Sequence, residues 1–168
     1  MKIETIVVGL LQTNCYLVIN KNNEGIIIDP GDQINKINKY TKGIDIKGIY
    51  YTHSHPDHVG ALKDLELKHN IKSNDFNNNI FDMEVIDTPG HMFDSKVFYF
   101  KKEKVMFTGD FIFKGTIGRT DLYGGNFKQM KESLKNIITY PDDIKIYPGH
   151  GPSSTLGEEK EIYKSFIN

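Results

Sequence analysis

The seven residues Thr52-His53-Ser54-His55-Pro56-Asp57-His58 constrain this chain more than any others. They follow an apolar run, residues 44–51, that predicts a buried strand. His53 and His55 are two apart, so in extended backbone both project to the same side. Asp57 and His58 come next, where the pattern predicts the start of a helix. Packing is a poor explanation for three imidazoles and a carboxylate at the mouth of a strand. Imidazole together with carboxylate suits zinc, iron or manganese.

Three further candidates stand at the ends of short apolar runs, each beside a glycine. His91 follows Thr88-Pro89-Gly90, Asp110 follows Phe107-Thr108-Gly109, and His150 follows Tyr147-Pro148-Gly149. Taken singly, Asp110 reads as a turn residue and His91 as a surface turn. The cluster at 53–58 makes both of them ligand candidates. His69, the one histidine of six outside these places, reads as a surface residue with no catalytic part. It falls near a predicted helix C-terminus, where an imidazolium would suit the dipole.

Around these positions strands alternate with helices. Residues 2–8, 15–19 and 25–29 predict a three-stranded meander. Its turn at Lys21-Asn22-Asn23-Glu24-Gly25 is rich in residues that tolerate positive φ. Residues 32–42 predict a helix with Ile34, Ile37 and Tyr40 on one stripe. Residues 57–70 predict another, with Val59, Leu62 and Leu65 inward. Residues 70–79 are polar and Asn-rich and predict a mobile loop. Strands are expected at 84–88, 97–100 and 105–108, the last two forming a hairpin about Lys101-Lys102-Glu103-Lys104. A helix at 126–139 carries Phe127, Met130, Leu134, Ile137 and Ile138 on one face, which reads as core rather than a cofactor contact. A strand at 144–147 delivers His150, and a helix at 158–166 closes the chain. Asp29, before Pro30-Gly31, is either a turn former or a partner for a ligating histidine. Candidates at strand ends are where open α/β sheets carry their sites.

A chain of 168 residues is expected to be one domain, long enough to bury a core without staples. The formal charge of −1 and a pI near 6.6 leave no electrostatic footprint for nucleic acid or an acidic membrane. The single cysteine, Cys15, excludes an internal disulfide and fits a reducing compartment. Lying in an apolar run, it reads as core and not as a nucleophile. With no charged-then-apolar leader and no run long enough to span a bilayer, a cytoplasmic location is expected. No internal repeat is evident.

The order His-x-His-x-Asp-His, lone His, lone Asp, final His resembles the metallo-β-lactamase superfamily. Within it, the pattern is most similar to the glyoxalase II-like (hydroxyacylglutathione hydrolase-like) branch. The resemblance runs from Thr13-Asn14-Cys15-Tyr16 and Ile28-Asp29-Pro30-Gly31 to Tyr147-Pro148-Gly149-His150-Gly151. Gly115-Thr116-Ile117-Gly118-Arg119-Thr120-Asp121-Leu122 is similar to this branch rather than to the β-lactamases proper. The resemblance implies an αββα four-layer sandwich, with two mixed β-sheets face to face, helices on the outer faces and the site along one edge. It implies two divalent metal ions, zinc first, with iron or manganese as alternatives. His53, His55 and His91 would hold one ion, Asp57, His58 and His150 the other, and Asp110 would bridge them. Seven donors for two ions leave positions open, which favours catalysis over a closed structural site. The implied activity is a metallohydrolase that cleaves thioesters by a metal-bound hydroxide, with the metals stabilising the oxyanion. Asp57 would be both ligand and the catalytic acceptor that orients the nucleophile. Arg119 is the implied substrate-binding residue, an ordinary salt bridge being the alternative, and Tyr123 is a weaker candidate.

Three departures from the glyoxalase II pattern bear on substrate choice. The sequence ends 18 residues after His150, so no C-terminal glutathione-binding helical domain is expected. The interval between His58 and His91 is short. Met92-Phe93-Asp94 replaces the usual small residues after the third metal histidine. A more open, less selective site is the expectation. Its partner is a small-molecule substrate, a thioester, without nucleic acid or membrane, and the oligomeric state is left open. The main alternative is a mononuclear iron persulfide dioxygenase of the same fold, using His53, His91 or His55, and Asp110. A nuclease is disfavoured by the lack of a basic patch. A metal-binding protein without turnover is disfavoured by the complete ligand set.

Overall fold

The computed structural model describes residues 1–78 and 80–167, so the last residue of the predicted loop at 70–79 lies outside the described residues. The chain divides into two compact units, Met1–Asp82 and Met83–Asn168. Each has its own sheet and its own core. Among the described residues, no helix is long and apolar enough to cross a membrane.

The first unit holds strands β1 (Lys2–Val8), β2 (Thr13–Ile19), β3 (Glu24–Ile28) and β4 (Asp45–Tyr50), side by side in that order. The first three form the expected antiparallel meander. The fourth runs parallel to β3. A parallel neighbour needs a crossover, and helix α1 (Ile34–Tyr40) supplies it. Ile6, Cys15, Leu17, Ile27, Ile37, Ile49 and Leu65 build the core. The stripe predicted on α1 narrows, because the helix has only seven residues: Ile37 is buried while Tyr40, in its last turn, is 44% exposed.

The single helix expected over 57–70 is two: α2 (Pro56–Val59) and α3 (Leu62–His69). The break has a specific cause. The Ala61 N–H, which an unbroken helix would bond to the carbonyl four residues earlier, donates instead to Pro30 O at 2.9 Å. The chains press together there so closely that a Cβ on Gly60 would lie 2.2 Å from Gly31 O, and one on Gly31 would lie 1.6 Å from Asp57 O. Two glycines therefore let the metal-candidate segment dock against the Pro30-Gly31 corner. His69 is half-buried at the end of α3 rather than fully at the surface. Burial, and then Lys68, push its pKa down, so the imidazolium expected from the helix dipole is disfavoured.

The second unit holds β5 (Met83–Asp87), β6 (Lys96–Phe100), β7 (Val105–Gly109), β10 (Lys145–Pro148) and β11 (Ser154–Thr155). They are ordered β11-β10-β7-β6-β5, and only β10 and β7 are parallel. A separate hairpin pairs β8 (Ile112–Phe113) with β9 (Thr116–Ile117). Helices α4 (Phe127–Ile137) and α5 (Leu156–Ile167) complete the unit. On α4, Met130, Leu134 and Ile137 are fully buried, with Ile138 packed against their cluster. Phe127 is exposed, just after the Asn126 N-cap, with Lys131 Nζ 5.4 Å from its ring centre. The two-residue strands β8, β9 and β11 carry too little periodicity to be read from sequence.

Candidate metal centre

In the first unit the donors gather where β4 ends. The Asp29 carboxylate organises them. Its Oδ1 accepts the Thr52 N–H at 2.6 Å, and its Oδ2 accepts the Thr52 hydroxyl at 2.9 Å. The same Oδ2 lies 3.1 Å from His58 Nδ1. Because the Thr52 hydroxyl gives its proton to Asp29, its contact with His53 Nδ1 at 3.1 Å must be one in which the ring nitrogen donates. The buried carboxylate thus fixes the His53 tautomer as Nδ1–H through Thr52, and it stands close beside the His58 ring. The His53 ring is left with its Nε2 lone pair.

His53 Nε2 lies 3.0 Å from His55 Nδ1. Two nitrogens bound to one tetrahedral zinc are about 3.3 Å apart, given Zn–N near 2.0–2.1 Å. The pair therefore has the spacing of two ligands on one cation. Ligand atoms of His53 and His58, and of Asp57 and His58, also fall within 4.8 Å of each other. Asp57 Oδ2 accepts a hydrogen bond from Thr13 Oγ1 at 2.9 Å and lies 3.4 Å from His58 Nε2. Cys15, fully buried, has its thiol pushed well above the ordinary range by burial, and secondarily by Asp29. It is a core residue and not a nucleophile.

In the second unit the parallel pair β7 and β10 sets two candidates next to each other. Gly109 and Pro148 are partners across the ladder, and Gly149 N donates to Gly109 O at 2.8 Å. Asp110 and His150 follow directly, with Asp110 Oδ2 3.5 Å from His150 Nε2. The same oxygen is 3.7 Å from His91 Nε2. His91 is buried, and its Nδ1 lies 2.8 Å from the Arg119 backbone oxygen, which can only accept. The proton is therefore on Nδ1, and Nε2, facing Asp110, carries the lone pair. Gly118 makes this approach possible, since a Cβ there would fall 1.8 Å from Asp110 O and 3.2 Å from His91 Cβ.

Arg119 thus serves the site through its backbone. Its guanidinium is held in a two-point pair with Asp121, both contacts at 2.8 Å, on the exposed side of the loop. That hydrogen-bonded pair holds the Asp121 carboxyl down at about 2. As a substrate contact Arg119 would act from within this pair. Thr52 and Thr13 were missed as orienting groups in the sequence. Their only signals are position, immediately before His53 and at the head of the Thr13-Asn14-Cys15-Tyr16 stretch.

The donor set fits divalent cations. His53 and His91 have their Nδ1 protons assigned by protein acceptors, His53 Nε2 stands beside His55 Nδ1, and carboxylates stand beside the Nε2 atoms of His58 and His91.

A family model described as the Metallo-beta-lactamase superfamily matches residues 8–73 and 75–150. The chain is 30% identical to the probable metallo-hydrolase YqgX of Bacillus subtilis, covering 100% of this chain and 98% of that one. It is 29% identical to the hydroxyacylglutathione hydrolase GloC of Haemophilus influenzae, covering 100% and 99%. The crystal structure of BLEG-1 B3 metallo-beta-lactamase superposes with a TM-score of 0.91 at 27% identity, over 99% of this chain and 100% of that one. That of TTHA1623 in a di-iron-bound form gives 0.84 at 29% identity, over 93% and 96%.

Proposed function

The chain belongs to the metallo-β-lactamase superfamily and has its fold and metallo-hydrolase character, and from this premise we propose that it hydrolyses acyl thioesters, the class that includes the hydroxyacylglutathiones. In this reading residues 1–168 are one domain of the family, since the match runs through both compact units. The thioester assignment draws its support from the hydroxyacylglutathione hydrolases among the relatives.

The fold binds divalent metal ions. We assign His53, His55 and His91 to one and Asp57, His58 and His150 to a second, with Asp110 between them; all seven lie within the matched residues. Zinc is the first candidate. Iron is the second, because TTHA1623 is described in a di-iron-bound form. The observation that carries the binuclear reading is Asp110 Oδ2, placed 3.7 Å from His91 Nε2 and 3.5 Å from His150 Nε2. A single carboxylate oxygen close to two imidazole nitrogens is the arrangement expected of a bridge.

Bound there, the ions would supply Lewis acidity toward the thioester carbonyl and lower the pKa of water. The protein's own residues do the positioning. Asp29 keeps the His53 lone pair aimed inward through Thr52, and the Arg119 carbonyl does so for His91. Asp57, fixed by the Thr13 hydroxyl, offers the acceptor that orients the attacking water. The leaving thiolate needs no strong general acid. Arg119 is the proposed substrate contact, meeting the substrate as part of its ion pair with Asp121.

The test is hydrolysis of S-lactoylglutathione and a panel of other acyl thioesters, with and without added zinc, iron or manganese. Metal-dependent thiol release is expected. Absence of release with every metal would overturn the reading, and oxygen uptake with glutathione persulfide would then support the dioxygenase alternative.

A further inference from the structure

The turn that carries His91 and the loop that orients it are locked to each other at three points. The His91 Nδ1–H meets Arg119 O at 2.8 Å. At the other end, Asn126 N donates to Gly90 O at 2.7 Å. Between them Gly124, at φ +84, lies so close to the turn that a Cβ would meet Met92 Sδ at 2.4 Å and Phe93 Cδ1 at 3.2 Å. This double loop needs buried apolar contacts, and Met92 provides one. It does not need exposed ones, yet it holds out Phe93 at 63%, Leu122 at 45% and Tyr123 at 90% exposure. These three exposed apolar or aromatic side chains all lie on the two segments that carry and orient a proposed metal ligand, with Phe93 brought against Gly124, next to Tyr123 in the chain. The only cation of the loop 119–126 is Arg119, and Asp121 neutralises it on two points.

We propose that Phe93, Leu122 and Tyr123 form an apolar rim beside His91 that selects thioesters whose non-reacting part is apolar or aromatic, in preference to the anionic glutathione moiety. This rests on the thioester reading above. Aromatic faces supply contact area at low conformational cost. A guanidinium whose charge Asp121 already offsets attracts a free carboxylate less, although its three remaining N–H groups can still meet a substrate. The substitution Met92-Phe93-Asp94 after the ligand histidine and the aromatic at Tyr123 have one role in this assignment. They are specificity-determining residues that touch the substrate and leave the metal untouched.

The experiment compares thioesters of one acyl group on glutathione, N-acetylcysteamine and benzyl mercaptan, using metal-loaded protein. The wild type is expected to show the highest kcat/KM on the benzyl thioester. Phe93→Ala and Tyr123→Ala should each lower that value roughly tenfold, the scale of one lost apolar contact, while leaving the N-acetylcysteamine thioester within about twofold. Tyr123→Phe should retain the preference. In parallel, calorimetry measures binding of two inert thioethers, S-benzyl-N-acetylcysteamine and S-methylglutathione. Tighter binding of the benzyl compound, lost in Phe93→Ala and Tyr123→Ala, supports the rim even if no thioester is hydrolysed, in which case the thioester reading alone has failed. Preference for glutathione in both measurements would overturn the rim. So would alanine variants that keep the wild-type selectivity, including variants that instead shift the sedimentation coefficient, which would mark the patch as a contact between copies of the chain.

Discussion

The most informative residue is Asp29, because one carboxylate oxygen accepts the Thr52 hydroxyl and stands 3.1 Å from His58 Nδ1. Asp29→Asn separates its electronic role from its shape. The backbone at this position is left-handed, at φ 53, which Asn tolerates as well as Asp. The Oδ1 contact to the Thr52 N–H can also survive. What changes is Oδ2, where an amide N–H would face the Thr52 hydroxyl that now donates to it. Thr52 would then turn its hydroxyl proton toward His53 Nδ1, moving the ring proton to Nε2 and removing a ligand lone pair. Metal affinity should fall by roughly 10–100-fold, the usual cost of losing such an outer partner, with little change in melting temperature of the metal-free protein. Chelator competition measures the first and thermal denaturation the second; unchanged affinity would refute the tautomer argument. Asp110→Ala should lower bound metal from two ions to one or none per chain and abolish metal-dependent turnover, as metal analysis on purified protein will show. The ligand candidates were legible in the sequence because each ends an apolar run beside another donor or a glycine. Their orienting partners were less so. Asp29 meets residue 52 only because β3 and β4 pair in parallel, with Ile28 opposite Tyr50, and that register is not a local property.

Whole elements were legible where periodicity had room to act. Strand β1 has its expected bounds, α4 lies within two residues of expectation, and its buried Met130, Leu134 and Ile137 were on the predicted face. The break between α2 and α3 was not legible, since its cause is the Pro30 carbonyl, some thirty positions away. The hairpin of β8 and β9 was also hidden, yet it leads into the loop whose carbonyl holds His91. Its glycines make a prediction that separates strain from site geometry. At Gly115, φ is +80 and nothing lies within 4 Å of a Cβ. Gly115→Ala should therefore cost only left-handed backbone strain, about 1–2 kcal/mol, and leave metal binding intact. At Gly118 the Cβ would collide with the Asp110 backbone at 1.8 Å, so main chain must move. Gly118→Ala should cost about 2 kcal/mol or more by overpacking and weaken metal binding as well, because the shift displaces Asp110 and the Arg119 carbonyl together. Chemical denaturation with parallel metal titration distinguishes the two. Equal metal affinity in both variants would show that the hairpin does not set the site.

At the scale of the whole molecule, the proposed ligand set takes His53, His55, Asp57 and His58 from the first compact unit and His91, Asp110 and His150 from the second. The family's pattern assigns His55 and His91 to one ion and His150 to the other, and energetic coupling tests that partition without reference to activity. Ligands of one ion act as a unit, so removing the second costs little once the first has gone. The variants His55→Ala and His91→Ala should each weaken binding of one metal ion by at least two orders of magnitude, the loss of an inner ligand exceeding the roughly 10–100-fold cost of an outer one. The double variant should be little worse than either single one. Pairing His55→Ala with His150→Ala should instead impair both ions, with the two losses closer to additive and any residual coupling carried by Asp110. Calorimetric metal titration of the five variants (three single, two double) and the wild type supplies every term of both cycles. Fully multiplicative losses for His55 and His91 would mean that they hold different ions, and the ligand assignment would have to be redrawn even if the protein proved to be a thioester hydrolase.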